Sequence, residues 1–306
     1  MRSQHPPRSH RFLDLPYKSK QASPYRNDLT RAADELVQNW EDSRDFMNRM
    51  EGVFLQHKET THDIRSTRHS VNRISPLQTL QHAMRLELTL SPSSEVIPFN
   101  HLPELYDTVH RWLGINPTAD TDARFFSYGW LHNGKRENDG LCFEQGAKWR
   151  LSFYYEAQGK KALKAIRDSP HVAYGLTVQE AVLKPVPVFG NQYRFQTDMA
   201  PIVVRRLQPS GDTEYLLWHN RASDEILTGL LRARLARVGL LGKHQQTRVY
   251  FDRSYKRAHS KMVQFHDQDY RGSVCPIHVE GTPEAISFAW LVGLGDLNQM
   301  GFGALR

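Results

Sequence analysis

From Met84 to Leu90 the chain reads MRLELTL, with Leu86, Leu88 and Leu90 on one side and Arg85, Glu87 and Thr89 on the other. A period of two marks a strand with one buried face, and Ser91-Pro92 ends it. The next segment, IPFNHLPELYDTVHRWLG, changes period. Leu102, Leu105, Val109, Trp112 and Leu113 recur at helical spacing. Asn100 is placed to cap this helix, Pro103 is tolerated in its first turn, and Gly114 stops it. Strands are expected over 124–132 and 148–155, a helix with a basic face over 157–169, and a further strand near 176–188. The order is β-α-β-β-α-β. Downstream the same grammar returns more loosely. An extended stretch covers 193–207, a helix 222–239, and strands 246–252, 260–267 and 273–280. Thr282-Pro283-Glu284 opens a last helix that ends near Gly293, and a short strand closes the chain. Two such units in succession predict an α+β fold of two tandem ferredoxin-like (RRM-like) domains, over 84–190 and 191–306.

Upstream the texture differs. Residues 1–28 hold Pro6, Pro7, Pro16 and Pro24 among polar and basic residues and read as a tail. Over 29–60, Leu29, Ala32, Ala33, Leu36, Val37, Trp40, Phe46, Met47, Met50 and Phe54 recur mostly three or four apart, a helical pattern with Asp28 as its cap. Residues 60–83 have little apolar content. Residues 1–83 are therefore expected to be an N-terminal extension, a tail plus a helical arm.

Composition narrows the function classes. The 306 residues are 39% hydrophobic and 24% charged, enough apolar material for a core. The apolar stretch 285–294 contains Ser287 and Gly293 and falls far short of the ~20 residues of a membrane span. Two cysteines, Cys142 and Cys275, make neither a disulfide framework nor a cysteine-rich zinc site. The basic N-terminus has no apolar core of a secretory signal, so the expected setting is the cytoplasm, with no membrane partner. The net charge of +7 favours a polyanionic partner, though weakly for this length.

The C-terminus adds a specific signal. In VGLGDLNQMGFGALR, Gly293, Gly295, Gly301 and Gly303 are spaced G-x-G-x5-G-x-G. Glycines this close permit positive φ, and successive free N–H groups would form an anion nest. A dinucleotide fingerprint would need a strand before them and a helix after, and a phosphate-binding P-loop would need Gly-Lys-Ser/Thr. The remaining reading from spacing alone is a plain turn between the last helix and a strand. Helix, GLGDLNQMGFG and closing strand resemble the glycine-rich signature of the RAMP superfamily. With MRLELTL, IPFNHLPELYDTVHRWLG, RFFSYGWL and FQTDMAPIVVRR, residues 84–303 resemble the CRISPR repeat-processing endoribonucleases. Residues 1–83 match no part of that family.

The resemblance implies cleavage of precursor CRISPR RNA within its repeats, with no metal or other cofactor. The 2′-hydroxyl attacks the scissile phosphorus, leaving a 2′,3′-cyclic phosphate and a 5′-hydroxyl. Histidine suits the proton transfers because its pKa lies near neutrality, and Arg or Lys suits the phosphorane. Many relatives carry a histidine in the loop after the first helix, whereas here GINPTADTDA has none. The resemblance places His110 where relatives can carry a catalytic tyrosine, with Tyr106 one turn earlier on the same side. Arg124 stands about where relatives place a lysine. His110 is the expected acid or base and Arg124 the expected phosphorane partner, against the plain alternative that His110 flanks the core. His101 is expected to be structural at the helix start, and His132 to sit in a solvated hairpin turn at 133–136.

RNA contacts are expected from Gly293, Gly295, Asn298, Gly301 and Gly303, from Arg205 and Arg206, and from Arg232, Arg234 and Arg237 on the second-domain helix. Lys160, Lys161 and Lys164 are read as a solvated face. Two other functions stay open: a non-cutting RNA-binding RAMP subunit of a CRISPR effector complex, and the RNA-processing module of a reverse transcriptase–integrase fusion. The partners expected are CRISPR repeat RNA and, with it, other CRISPR-associated proteins or that fused module.

Overall fold

The computed structural model describes residues 83–115 and 125–306. The expected tail and helical arm of 1–82, the loop 116–123 and Arg124 lie outside the described residues.

The first half contains β1 (Met84–Leu90), β2 (Ser93–Pro98), α1 (Leu102–Leu113), β3 (Phe126–Tyr128), β4 (Lys135–Glu137), β5 (Gly140–Phe143), β6 (Lys148–Phe153), α2 (Glu156–Asp168) and β7 (Val178–Lys184). Its main sheet has the antiparallel order β3-β6-β1-β7, the strand arrangement of a ferredoxin-like unit. Central β1 pairs with β6 from Met84↔Phe153 to Thr89↔Lys148 and with β7 from Arg85↔Lys184. Leu86, Leu88 and Leu90 are buried under the two helices together with Leu105, Val109, Trp112, Ala162 and Ile166. Gly114 adopts the left-handed conformation at φ 55° and ends α1 as expected. Asn100 does not cap the helix. The cap position falls to His101, which makes no side-chain cap bond, while Asn100 is exposed. The pattern also missed a small sheet of order β2-β5-β4. Its hairpin turns at Asn138 (φ 42°), not at 133–136, and its strands are too short for a period to show.

The second half contains β8 (Gln192–Phe195), β9 (Arg205–Leu207), β10 (Thr213–Tyr215), α3 (Ala222–Arg237), β11 (Arg248–Phe251), β12 (His259–Phe265), β13 (Gln268–Val274), β14 (Ile277–Glu280) and α4 (Pro283–Val292). The sheet order is β11-β14-β8. The chain end lies beside β8: Arg306 N donates to Gln196 O at 2.9 Å and Asp198 N to Ala304 O at 2.8 Å. That closing segment completes a second ferredoxin-like unit. The strand expected over 273–280 is two. Residues up to Val274 turn back on β12 as a hairpin, with His266 at φ 52°, and only Ile277–Glu280 joins the sheet.

This hairpin crosses to the first half, where Val263, Phe265 and Tyr270 join the core of β1 and α1. In the reverse direction, Phe125 and Tyr154 pack with Phe288 of α4.

Helix α4 is buried all round, every residue from Ala285 to Val292. Thr282 caps it by accepting from Ala285 N at 3.3 Å. One side covers its own sheet. The other lies on the face of β1, β3 and β6 that alternation had assigned to the polar side. Arg85 is only 5% exposed. Its Nη2 donates to Trp290 O at 2.7 Å and Leu305 O at 2.9 Å, and its Nε to Ser152 Oγ at 2.7 Å. The guanidinium also lies 3.4 Å from the centre of the Trp290 ring. Nearby, Ser127 Oγ donates to Leu291 O at 2.8 Å. A helix end leaves its last carbonyls without intrahelical donors, and a cation there also meets the negative end of the helix dipole. Burial pulls Arg85 down to about 9, against the field of Asp198, so it remains charged at neutral pH.

After α4 the glycine-rich segment folds back on itself. Asn298 Nδ2 donates to Leu294 O at 3.0 Å and Phe302 O at 3.1 Å. Leu294 N donates to Gly303 O, Gly303 N to Pro201 O and Asp296 N to Val203 O, at 2.8–3.0 Å. Gly301 has φ +84°, and a Cβ there would stand 2.5 Å from Leu102 Cδ1 and 2.6 Å from the Tyr128 ring.

Arg85→Met should lower unfolding stability by about 3 kcal/mol in urea titration, because two buried carbonyls and Ser152 lose their donor. A loss below about 1 kcal/mol would mean that the arginine does not hold the two halves together. Gly301→Ala should cost about 2 kcal/mol in the same measurement, from overpacking and left-handed strain combined.

Candidate nucleic-acid site

His110 and Tyr106, predicted to share one side of α1, are brought together. Their rings meet at a tilt of 32° with centroids 3.8 Å apart, and His110 Nδ1 donates to Tyr106 O at 2.9 Å. A carbonyl can only accept, so Nδ1 carries the proton and the lone pair of the neutral ring sits on Nε2. Phe126 closes one side edge-on, and Tyr106 meets Phe265 of β12 edge-on at 5.2 Å. His110 is 5% exposed, so the pair lies largely beneath the second-half hairpin.

The glycine-rich segment, expected to contact RNA, is largely engaged within the fold. Gly293, Gly295, Gly301, Gly303 and Asn298 are all buried. The amides of residues 293, 294, 296 and 300–303 donate to backbone carbonyls of this chain, so they are not free for a ligand.

The predicted arginines separate. Arg205 Nε meets Asp296 Oδ2 at 3.5 Å, and Arg206 Nη2 meets Glu214 Oε2 at 2.6 Å on its own hairpin. Arg232 Nε donates to Thr247 O at 2.9 Å. Arg234 Nη2 donates to Gly295 O at 2.7 Å, tying α3 to the glycine segment. Burial pulls Arg234 down to about 10, partly offset by Asp296. Arg237, the last residue of α3, is exposed. On α2, Lys160 pairs with Glu156 at 2.6 Å one turn away, an ion pair of the solvated face expected there.

Two groupings went unseen in the sequence. His132 is not in a solvated turn. Its backbone bridges Lys148, and its Nε2 lies 2.7 Å from Oδ1 of buried Asp198. Arg150 reaches the same oxygen at 2.6 Å and Glu87 at 3.1 Å. Glu87 in turn faces Lys184 at 3.6 Å, and these bonds, with Arg150, hold its carboxyl below the usual range despite desolvation. Asp198 lies in the FQTDMAP segment that carried part of the family resemblance, but its partners are 48 and 66 residues away. The second grouping is Trp130, His101 and Lys261. The Lys261 ammonium stands 4.0 Å from the Trp130 ring centre, His101 meets that ring edge-on at 6.0 Å, and Trp130 Nε1 donates to Gly301 O at 2.8 Å. Among the described residues no helix is long and apolar enough to cross a membrane.

Comparison with known proteins agrees with this architecture. Residues 184–306 match the family model described as CRISPR associated protein Cas6, C-terminal. A protein of Pyrococcus furiosus named "Putative CRISPR-associated endoribonuclease-like protein Cas6" is 26% identical over 249 residues, 73% of this chain and 98% of the relative. A solved structure of a Cas6-related gene product from Pyrococcus furiosus superposes with a TM-score of 0.64 at 23% identity, covering 73% of this chain and 98% of that one. Another, described as a RAMP protein binding different RNA substrates, gives 0.63 at 21% identity with the same coverage. The chain is thus similar to Cas6 CRISPR-associated proteins, over 184–306 to the family's C-terminal domain and along nearly the full length of the Pyrococcus furiosus relative.

Proposed function

We propose that this chain is an endoribonuclease that cuts CRISPR RNA within its repeats. The observation that carries the reading is the match to an endoribonuclease-like Cas6 protein over 98% of that relative. The chemistry we assign needs no metal. A 2′-hydroxyl attacks the adjacent phosphorus, the P–O5′ bond breaks, the leaving 5′-oxygen takes a proton from water, and the products carry a 2′,3′-cyclic phosphate and a 5′-hydroxyl. In this scheme Nε2 of His110 takes the 2′-hydroxyl proton. Its ring is already oriented by the Nδ1 bond to Tyr106 O and by the tyrosine ring packed against it, which lowers the entropic part of the barrier. Arg124 would face the charge that grows on the phosphorane; its part rests on the resemblance.

A second reading, RNA binding without cutting, is favoured by the burial of His110 and by the absence of histidine from 114–123. In either reading, exposed Arg237 is assigned a backbone contact with RNA, whereas Arg234 is assigned to the fold.

His110→Ala should lower single-turnover cleavage of repeat RNA by about 10²–10⁴-fold, the usual worth of a positioned acid or base, with RNA affinity retained. Undiminished cleavage would remove His110 from the mechanism. Arg237→Glu should weaken RNA binding and reduce the slope of log affinity against log salt by about one phosphate's share, ~0.7 for a single strand. Arg234→Ala should instead show its main effect in thermal unfolding; if its loss left stability unchanged and flattened the salt slope, the two roles would be reversed.

A further inference from the structure

The start of α1 carries a polar group that the fold leaves unsatisfied. His101 is 3% exposed, and its Nδ1 donates to Pro98 O at 2.9 Å. The other ring nitrogen, Nε2, is buried with no hydrogen-bond partner. In the first turn Pro103 has no N–H, so the amides of Leu102 and Glu104 are the donors left without an intrahelical acceptor, and no side chain caps them. Lys261 reaches in from β12 over the Trp130 ring that His101 also touches, and no carboxylate pairs with it among the described residues. Three positive or donor-rich features therefore converge: a helix N-terminus, a partly buried ammonium, and an imidazole edge that can become a donor. Beside them, Phe99 is 43% exposed, with the Arg136 guanidinium 5.1 Å from its ring centre.

We propose that the N-terminus of α1, His101 and Lys261 form a binding site for one phosphate group of bound RNA, with Phe99 as the platform on which a neighbouring base stacks. The proposal rests on the reading that this chain binds RNA. It assigns a job to the Phe-Asn-His run and to a hairpin lysine, neither of which the cleavage scheme uses. Base stacking on an exposed aromatic ring tolerates any sequence, and a single buried phosphate contact fixes register.

Charge logic gives the site a pH dependence. In the free protein, burial and the field of Lys261 lower the affinity of His101 for a proton, opposed by Pro98 O and by Glu104. Glu104 is the carboxylate facing this ring, and it is engaged by the Tyr174 hydroxyl. Burial likewise brings Lys261 down to about 8. A phosphate stabilises both protonated forms. Binding therefore takes up protons, and affinity falls as pH rises through and above 8.

The test is binding of single-stranded repeat RNA to the full chain, across salt and pH, for Lys261→Gln, Lys261→Arg and Phe99→Ala. Lys261→Gln should weaken binding about fivefold, flatten the salt slope by ~0.7 and flatten the pH profile near 8, and Lys261→Arg should restore affinity and slope. Phe99→Ala should weaken binding about tenfold with the salt slope unchanged. Wild-type affinity and slope in folded Lys261→Gln would overturn the site. A second measurement does not need RNA: titration of inorganic phosphate, followed by the ¹⁵N signals of the His101 ring. Protonation of Nε2 as phosphate is added supports the site even if the chain binds no RNA, in which case the functional reading fails alone. An unmoved Nε2 signal overturns the site even if RNA binds elsewhere.

Discussion

One buried cation, Arg85, ties the two units together at the centre of the fold. Arg85 sits under the C-terminal end of α4 and holds two backbone carbonyls, one from the helix and one from the closing segment, 205 and 220 residues along the chain. A buried guanidinium is costly unless its donors are used, and here they go to Trp290 O, Leu305 O and Ser152 Oγ with the Trp290 ring alongside. The same contact satisfies one orphan carbonyl of the helix end, that of Trp290. Because α4 is thereby apolar on both sides, neither half can expose it without exposing a core face. The hairpin β12–β13 locks the arrangement from the opposite direction, placing Phe265 against Tyr106.

This arrangement decides what the surface has left for a ligand. The glycine-rich segment packs between α4, residues 201–203 and Leu102, and seven of its amides donate to backbone carbonyls of this chain. Arg234 braces it through Gly295 O, and Arg205 braces it through Asp296. Part of the positive charge that pointed to a polyanion is therefore committed to the fold. Among the outward-facing groups are Arg237 at the end of α3 and the Phe99, Arg136 and Lys261 group at the start of α1. The His110–Tyr106 pair lies about one to two turns further along α1.

Much of the architecture was legible from short-range pattern. The period-two leucines of β1, the stripe of α1 with its Gly114 stop, and the Thr282-Pro283 start of α4 are local signals, and the helices α1, α2, α3 and α4 fall where periodicity put them. The tandem ferredoxin-like order follows from them. What failed was long-range or too short to show a period. Arg85 alternates correctly, but the polar side of its strand faces a helix near the other end of the chain. The Asp198 partners His132 and Arg150 are equally remote in sequence. Strands β4 and β5, three and four residues long, cannot display a pattern, so the hairpin turn was placed five residues early. Glycine spacing announced positive φ correctly at four positions, yet spacing cannot tell a loop that faces a ligand from one that fills an interface. His101 illustrates the same limit: its structural placement at the helix start was legible, its unsatisfied Nε2 was not.

The central claim is that this chain cuts RNA by internal transesterification. The most direct measurement is incubation of the full chain with end-labelled CRISPR repeat RNA in EDTA, followed by analysis of the product termini. The account predicts one cut within the repeat, a 2′,3′-cyclic phosphate on the upstream fragment and a 5′-hydroxyl on the downstream one. Repeat RNA that is bound yet recovered intact, or fragments ending in 3′-hydroxyl and 5′-phosphate, would contradict it.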